Sequence, residues 1–394
     1  MKKNLLFIIN NLNCGGAENA LVALLEEIDH SKYTIDLLLF KQEGFLLNKV
    51  NAKVTVLPSP VEFSYFDGPI QSELLRSIKN LRFDVFFARL YAVYLLRKGK
   101  TRAEKEQLLW KALNICVPKL PKRYDASISY LQNTPNTYNI DKVNAVKKIG
   151  FIRTDYDNMG VNFELDHPYF KQFDAVLSVS KTGENQLKEA FPDLKHKFFT
   201  MESVFSYTML QKMAEEEVDF QKGALTLVSV GRLHPVKGFD LAIEACKIIK
   251  DQGIDIKWYV IGEGAEQQNL LQLVQQYQLE TSFIFLGLKE NPHPYVSRAD
   301  MYVQTSRFEG KSRAIEEAKI HKKPIVVTNY PSVNDQIIHG ENGYVVEMNA
   351  NAIAEGILNL YRDVEMKDKL ISNLQHTKNS NEQQLNVLYH LIDQ

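Results

Sequence analysis

Cysteine is nearly missing from this chain. Its three residues, Cys14, Cys116 and Cys246, are scattered, show no Cys-x-x-Cys spacing and leave one unpaired in any disulfide scheme. That excludes a disulfide framework and fits reduced thiols in a cytoplasmic protein. Long apolar runs are missing too. The run Leu5 to Ile9 stops at Asn10-Asn11, too short for the core of a signal peptide, and no stretch reaches transmembrane length. Neither sign of charge dominates: 47 Lys and Arg face 48 Asp and Glu for a net charge of -1, so no global attraction to nucleic acid is implied. The nine histidines do not gather at metal-ligand spacing, and His293, set between Pro292 and Pro294, reads as a loop residue. Gly262-Glu263-Gly264 is too short a glycine pattern for a dinucleotide cofactor. No metal and no bound cofactor are therefore expected, and there are no repeats or low-complexity tracts.

What remains is a chain of 394 residues, 45% hydrophobic and 24% charged, long enough for two ordinary domains. In the first half, strand-like runs at 4–10, 34–40, 54–57, 126–130, 148–153, 175–179 and 197–201 alternate with helical patterns. The first of these patterns, 17–28, carries Ala20, Leu21, Leu24, Leu25 and Ile28 at helical spacing. Strands alternating with helices imply a parallel, doubly wound sheet. Residues 206–222, with the acidic run Glu215-Glu216-Glu217, read as an interdomain connection, and the cycle restarts at Leu225. The expected division is 1–205, a connection 206–222, a second domain 223–376 and a C-terminal helix 377–394.

Two segments of the second half carry charged groups where ligands bind in such sheets. After the buried-type strand Leu225 to Val230 comes Gly231-Arg232-Leu233-His234-Pro235-Val236-Lys237-Gly238, which places two cations at a strand's C-terminal end. Arg232 is suited to fork onto phosphate oxygens and Lys237 to act as a point charge; a solvated basic loop is the alternative. Further on, Glu309 and Glu317 bracket the expected start of a helix over 311–321. Eight residues at helical rise span about 12 Å, roughly the separation of a ribose from a hexose across a diphosphate. Carboxylates accept hydrogen bonds from vicinal hydroxyls, and unpaired amides of Lys311, Ser312, Arg313 and Ala314 would face the phosphates. Alternatively, these acids only complement the helix dipole.

The order strand, Gly-Arg-x5-Lys-Gly, Ile261-Gly262-Glu263-Gly264, Phe285-Leu286-Gly287, Glu-x7-Glu and Lys323-Pro324-Ile325-Val326-Val327-Thr328 resembles the retaining family-4 (group 1) glycosyltransferases of the GT-B fold. Residues 224–360 carry the resemblance. The first half joins it more loosely, through Asn11-Leu12-Asn13-Cys14-Gly15-Gly16-Ala17-Glu18 and Phe173 to Ser180. The resemblance implies two Rossmann-like doubly wound parallel-sheet domains facing across a cleft, with the C-terminal helix crossing back onto the first. It also implies retaining transfer of a hexose or N-acetylhexosamine from a sugar nucleotide, by family frequency UDP-linked, to a cell-envelope glycan, polymer or lipid-linked acceptor. By the same resemblance Arg232 and Lys237 neutralise the leaving diphosphate, with Gly15 and Gly16 offering further donors. Glu309 holds sugar hydroxyls, Glu317 the ribose, and the backbone at Phe285, Leu286 and Gly287 the base. The competing expectation is a non-catalytic GT-B subunit that binds glycan or chaperones a partner transferase.

Two features depart from that pattern or lie outside it. Many relatives have histidine where this chain has Arg153, in Gly150-Phe151-Ile152-Arg153-Thr154-Asp155-Tyr156. Arginine is no general base at neutral pH, so Arg153 is expected to read a negative group on the acceptor; interaction with the leaving group, a chain inactive alone, or a simple pairing with Asp155 or Asp157 are the alternatives. Asp155-Tyr156-Asp157 has the form of a metal motif of another glycosyltransferase fold and is discounted because basic phosphate partners stand elsewhere. Between Arg97 and Arg123 nine basic residues (Arg97, Lys98, Lys100, Arg102, Lys105, Lys111, Lys119, Lys122, Arg123) face only Glu104 and Glu106. With Leu108, Leu109, Trp110, Leu113, Ile115 and Val117 interleaved, this segment suits an anionic membrane surface at the inner face of the cell membrane. A solvated face or an anionic polymer are the alternatives.

Overall fold

The computed structural model describes residues 2–13, 15–154, 156, 159–309, 311–375 and 381–393. Cys14 and the two acids of Asp155-x-Asp157 lie outside the described residues. The chain divides into two units, residues 1–205 with 380–394, and residues 206–379.

The first unit holds β1 Lys3–Ile9, β2 Tyr33–Leu39, β3 Val54–Leu57, β4 Arg123–Ser129, β5 Asn144–Ile152, β6 Ala175–Ser178 and β7 Phe198–Thr200. They form one sheet in the order β3-β2-β1-β4-β5-β6-β7, and every neighbouring pair is parallel. Leu5 to Ile9 are all buried, the continuous apolar run that a strand covered on both faces requires. The covering helices are α1 Gly16–Glu27, α2 Ile70–Lys79, α3 Phe83–Leu96, α4 Arg102–Cys116, α5 Thr134–Lys142, α6 Phe163–Phe170 and α7 Lys181–Ala190. β4 and β5 begin earlier than the sequence suggests, because their first residues are polar ladder positions such as Arg123 and Asn144. One expectation is corrected in part. Leu108, Trp110, Leu113 and Val117 are buried, Leu109 is half-buried and Ile115 is exposed, and the Trp110 indole donates to Asp141 Oδ2 at 2.7 Å, so most of the apolar residues over 108–117 belong to the core.

The second unit begins with α8 Tyr207–Ala214, capped by Ser206. The stretch 206–222 is therefore no bare connection: Leu210 and Met213, one helical turn apart, are buried. β8 Leu225–Val230, β9 Ile256–Ile261, β10 Phe283–Phe285, β11 Met301–Gln304, β12 Ile325–Thr328 and β13 Tyr344–Val346 form a parallel sheet in the order β10-β9-β8-β11-β12-β13. The three-residue edge strand β13 was not anticipated. Successive residues serve opposite faces, with Leu227, Trp258 and Val303 in one apolar cluster and Val228, Tyr259 and Tyr302 in the other. Around the sheet lie α9 Phe239–Asp251, α10 Gln267–Gln276, α11 His293–Arg298, α12 Arg313–Ile320, α13 Ala350–Arg362 and α14 Val364–Gln375.

The last helix, α15 Asn381–Asp393, belongs to the first unit. Asn381 Oδ1 accepts from the Phe205 amide at 3.0 Å and Gln384 Oε1 from the Glu202 amide at 2.8 Å. The Tyr389 ring stacks on Tyr33 at 5.3 Å, and its hydroxyl accepts from the Asp29 amide.

Candidate functional site

In the second sheet the strand order reverses between β8 and β11, and at such a switch point two successive loops part and leave a crevice at the strands' carboxyl ends. The loop after β8 is 231–238 and the loop after β11 is 305–312, the two segments singled out by charge. They are sewn together. Thr305 Oγ1 donates to the Lys237 carbonyl at 3.0 Å, the Arg307 amide donates to the Val236 carbonyl at 2.7 Å, and Arg307 binds both oxygens of Asp240 at 2.8 and 2.6 Å. Gly238 joins the loop to α9 at φ +64°, where a Cβ would sit 2.0 Å from the Thr305 carbonyl oxygen, so only glycine fits.

Lys237 and Glu309 meet directly. One oxygen, Glu309 Oε1, accepts from Lys237 Nζ at 2.6 Å, Gln304 Nε2 at 2.8 Å and Ser306 Oγ at 2.6 Å. Gln304 is itself oriented, its Oε1 accepting from Ser312 Oγ at 2.9 Å and the Tyr302 hydroxyl at 3.1 Å. With its oxygen occupied by two hydroxyl donors, the Gln304 amide nitrogen is the group left to face Glu309. Arg232 is exposed and its guanidinium has no hydrogen-bond or ion-pair partner among the described residues. Gln304, Ser306, Thr305 and Arg307 were missed by sequence reasoning. They are ordinary polar residues, and nothing local distinguishes them until both loops are folded.

The helix expected over 311–321 is shorter, Arg313–Ile320, with Ser312 as its cap. Lys311 precedes the cap and Ala314 lies in the first turn. The Ser312 amide donates to Gln336 Oε1 at 2.6 Å and its carbonyl accepts from Gln336 Nε2 at 2.9 Å, which corrects the expectation that all four amides over 311–314 stand unpaired. Glu317 is mostly buried and pairs with Arg313 Nε at 2.8 Å. Burial raises its carboxyl above the usual range while the charge of Arg313 pulls it back down. His293 opens α11 and is buried, not a loop residue; its Nδ1 lies 3.1 Å from Nε2 of His321. Burial depresses both imidazoles to about 4, so the pair is neutral at pH 7.

At the end of β10 the Leu286 amide donates to the Val260 carbonyl at 2.9 Å and the Gly287 carbonyl accepts from the Gly262 amide at 3.0 Å. Those two backbone groups of 285–287 are thus engaged within the sheet. The Gly-Glu-Gly turn has its own explanation. A Cβ on Gly262 would lie 2.0 Å from the Gly231 carbonyl oxygen and one on Gly264 2.1 Å from that of Leu233, so both glycines serve the close approach of one backbone to another.

In the first unit the strand order reverses between β1 and β4. Gly15 caps α1 with no side-chain hydrogen bond and Gly16 is its first residue, while the Glu18 carboxylate folds so near Gly15 that a Cβ there would lie 2.0 Å from its Oε2. Burial raises the Glu18 carboxyl, against a backbone hydrogen bond and the charge of Arg153. Arg153 follows β5. Its guanidinium lies 4.5 Å over the Tyr130 ring, Nη2 donates to Ser203 Oγ at 2.8 Å, and its amide donates to Gln132 Oε1. Its other terminal nitrogen, Nη1, is buried with no hydrogen-bond partner among the described residues.

Residues 211–377 match the family model of "Glycosyl transferases group 1". Over 320 residues the chain is 27% identical to the poly(ribitol-phosphate) alpha-N-acetylglucosaminyltransferase of Staphylococcus aureus (strain COL), covering 76% of this chain and 64% of the relative. It is 25% identical over 219 residues to the N-acetylgalactosamine-N,N'-diacetylbacillosaminyl-diphospho-undecaprenol 4-alpha-N-acetylgalactosaminyltransferase of Campylobacter jejuni subsp. jejuni, covering 55% of this chain and 58% of that one. The chain thus spans less than two thirds of the length of either relative. Among solved structures it is similar to a mutant of S. aureus TarM in complex with Fondaparinux, alpha-GlcNAc-glycerol and UDP, with a TM-score of 0.67, 16% identity and all of both chains covered. The fold is GT-B. Both of its Rossmann-like sheets are parallel, and in the second GT-B domain the charged loops sit at the switch point.

Proposed function

We propose that this chain is a retaining glycosyltransferase that moves a hexose or N-acetylhexosamine from a UDP-sugar to a cell-envelope glycan or a lipid-linked acceptor. The observation that carries the reading is the junction of Lys237 and Glu309 at the switch point of the unit that matches the group 1 model, with the exposed Arg232 on the same loop as Lys237. A cation beside a carboxylate suits a ligand that is itself a diphosphate joined to a polyol. Lys237 and Arg232 neutralise the departing diphosphate, Glu309 accepts from sugar hydroxyls and Glu317 from the ribose, with the base against 285–287. The UDP of the TarM complex supports the choice of base, and the activities named for the two relatives support an envelope acceptor.

Arg153 takes the acceptor's negative group. A guanidinium held over the Tyr130 ring, with Nη1 unpaired among the described residues, is preorganised for a phosphate or carboxylate oxygen. The test is UDP release and sugar transfer by the purified protein across a panel of UDP-sugars, with phosphate-bearing and neutral acceptors. Arg153→Ala should weaken use of the anionic acceptor and leave UDP-sugar binding intact, and Arg153→His should recover part of it. Equal acceptor use in Arg153→Ala removes that role. Transfer seen only when a second protein is added favours the non-catalytic subunit instead, and a chain that binds no nucleotide sugar at all overturns the proposal.

A further inference from the structure

α3 is apolar on two sides. Val85, Ala88, Ala92 and Leu95 are buried in the first unit. A second stripe, Phe83, Phe87, Leu90, Tyr91 and Tyr94, recurs at helical spacing and faces outward, with Phe83 54%, Phe87 62% and Tyr94 53% exposed. The adjoining α2 and its C-terminal turn expose Leu75, Ile78 and Leu81 as well. One helix displaying several large side chains to water is more than the scattered apolar exposure ordinary on a surface.

The charge around the stripe that has no ion-pair partner among the described residues is positive. Lys79, Arg97, Lys98 and Lys100 are exposed and have no ion-pair partner among the described residues; Lys98 Nζ lies 4.4 Å over the Tyr94 ring. The neighbouring acids are engaged. Arg82 binds Asp84 at 2.7 Å, Arg76 binds Glu73 at 3.1 Å and Arg102 binds Glu106 at 3.4 Å. Glu104 accepts from the Lys100 amide and from Asn162 Nδ2.

We infer that α3, with the cations at its C-terminal end, lies on an anionic lipid bilayer, its Phe and Leu side chains in the acyl boundary and its tyrosines at headgroup level. An amphipathic helix with aromatic anchors and a cationic border binds such an interface by apolar burial plus attraction to anionic lipid. A second copy fits less well. With no uncommitted carboxylate beside the stripe among the described residues, self-association would set cation against cation, whereas lipid phosphates neutralise them. The contact thus falls on α3 and not on α4, whose Leu108, Trp110 and Leu113 are buried.

Vesicle sedimentation tests this without reference to transfer. The full chain should bind phosphatidylcholine vesicles containing phosphatidylglycerol, ignore pure phosphatidylcholine and detach as salt is raised. Phe83→Ser/Phe87→Ser/Leu90→Ser and Arg97→Glu/Lys98→Glu/Lys100→Glu should each weaken binding by about 100-fold or more, with unchanged circular dichroism and UDP affinity. Wild-type protein that ignores anionic vesicles at low salt overturns the inference. So does binding that both variants retain. Sedimentation equilibrium in solution completes the test: a wild-type dimer that becomes monomeric in the apolar variant, without vesicle binding, assigns the stripe to a second copy instead.

Discussion

Glu309 and Lys237 share a bond, so neither can be changed alone. Lys237→Ala removes a cation from the leaving group and also takes away one of three donors on Glu309 Oε1. On the proposed function it should cost about 2.7 to 4 kcal/mol of transition-state stabilisation, about 100- to 1000-fold in turnover. Arg232→Ala, which frees no internal partner, should lower kcat with little change in donor KM. Near-normal turnover of the Arg232→Ala/Lys237→Ala double variant in a UDP-release assay would remove the donor site from these loops. Gln304→Leu tests the positioning of Glu309: it leaves the buried Ser312 hydroxyl without its acceptor, while the Tyr302 hydroxyl keeps the Val230 carbonyl at 3.4 Å, at about 1 to 3 kcal/mol of stability. Turnover should fall, and UDP affinity should hold. The sequence showed Lys237, Arg232 and Glu309 because charge at strand ends is conspicuous. It could not show Gln304, whose role exists only once β11, α12 and the β8 loop are in place.

Among the elements, the loop 231–238 is set by backbone geometry as much as by charge. Gly238→Ala must leave the left-handed region and clears no space against the Thr305 carbonyl, so it should destabilise the second unit by about 2 kcal/mol or more and abolish the register between the two loops. A lowered urea midpoint together with lost transfer is the expected result; an unchanged midpoint would mean the loop does not need this conformation. The pairing of α11 with α12 through His293 and His321 makes a pH prediction. Both imidazoles are held at about 4 when folded, against 6.5 when unfolded. The unfolded chain therefore binds more protons between those values. Stability is full above pH 6.5 and is lost as pH falls toward 4, by on the order of 3 kcal/mol for the first protonation. His293→Asn/His321→Gln should flatten that part of the urea-midpoint profile, and an unchanged acid slope would place the effect elsewhere. The helices and long strands were legible from apolar periodicity. β13, three residues long, and the polar starts of β4 and β5 were not, because they carry no periodic signal.

Across the whole chain, the two parallel sheets could be read from alternating strands and helices, while the path of α15 came into the sequence reading by resemblance only. Its buried Leu388 ties it to the first unit, so Leu388→Ala should lower that unit's stability by about 2 to 5 kcal/mol. Calorimetry should find that loss in one transition, with UDP affinity retained by the second unit; a loss of UDP affinity alone would contradict the assignment. The same connection sets an order of events during synthesis. Residues 381–393 leave the ribosome after all of 206–379, so the second unit can close while the first still waits for its final helix. At about 5 to 20 residues per second the wait after Phe205 lasts roughly 10 to 40 s. For that interval Tyr33 and the backbone of 202–205 lack the partners that α15 supplies, and a nascent chain stalled in that interval carries an open seam available to a chaperone.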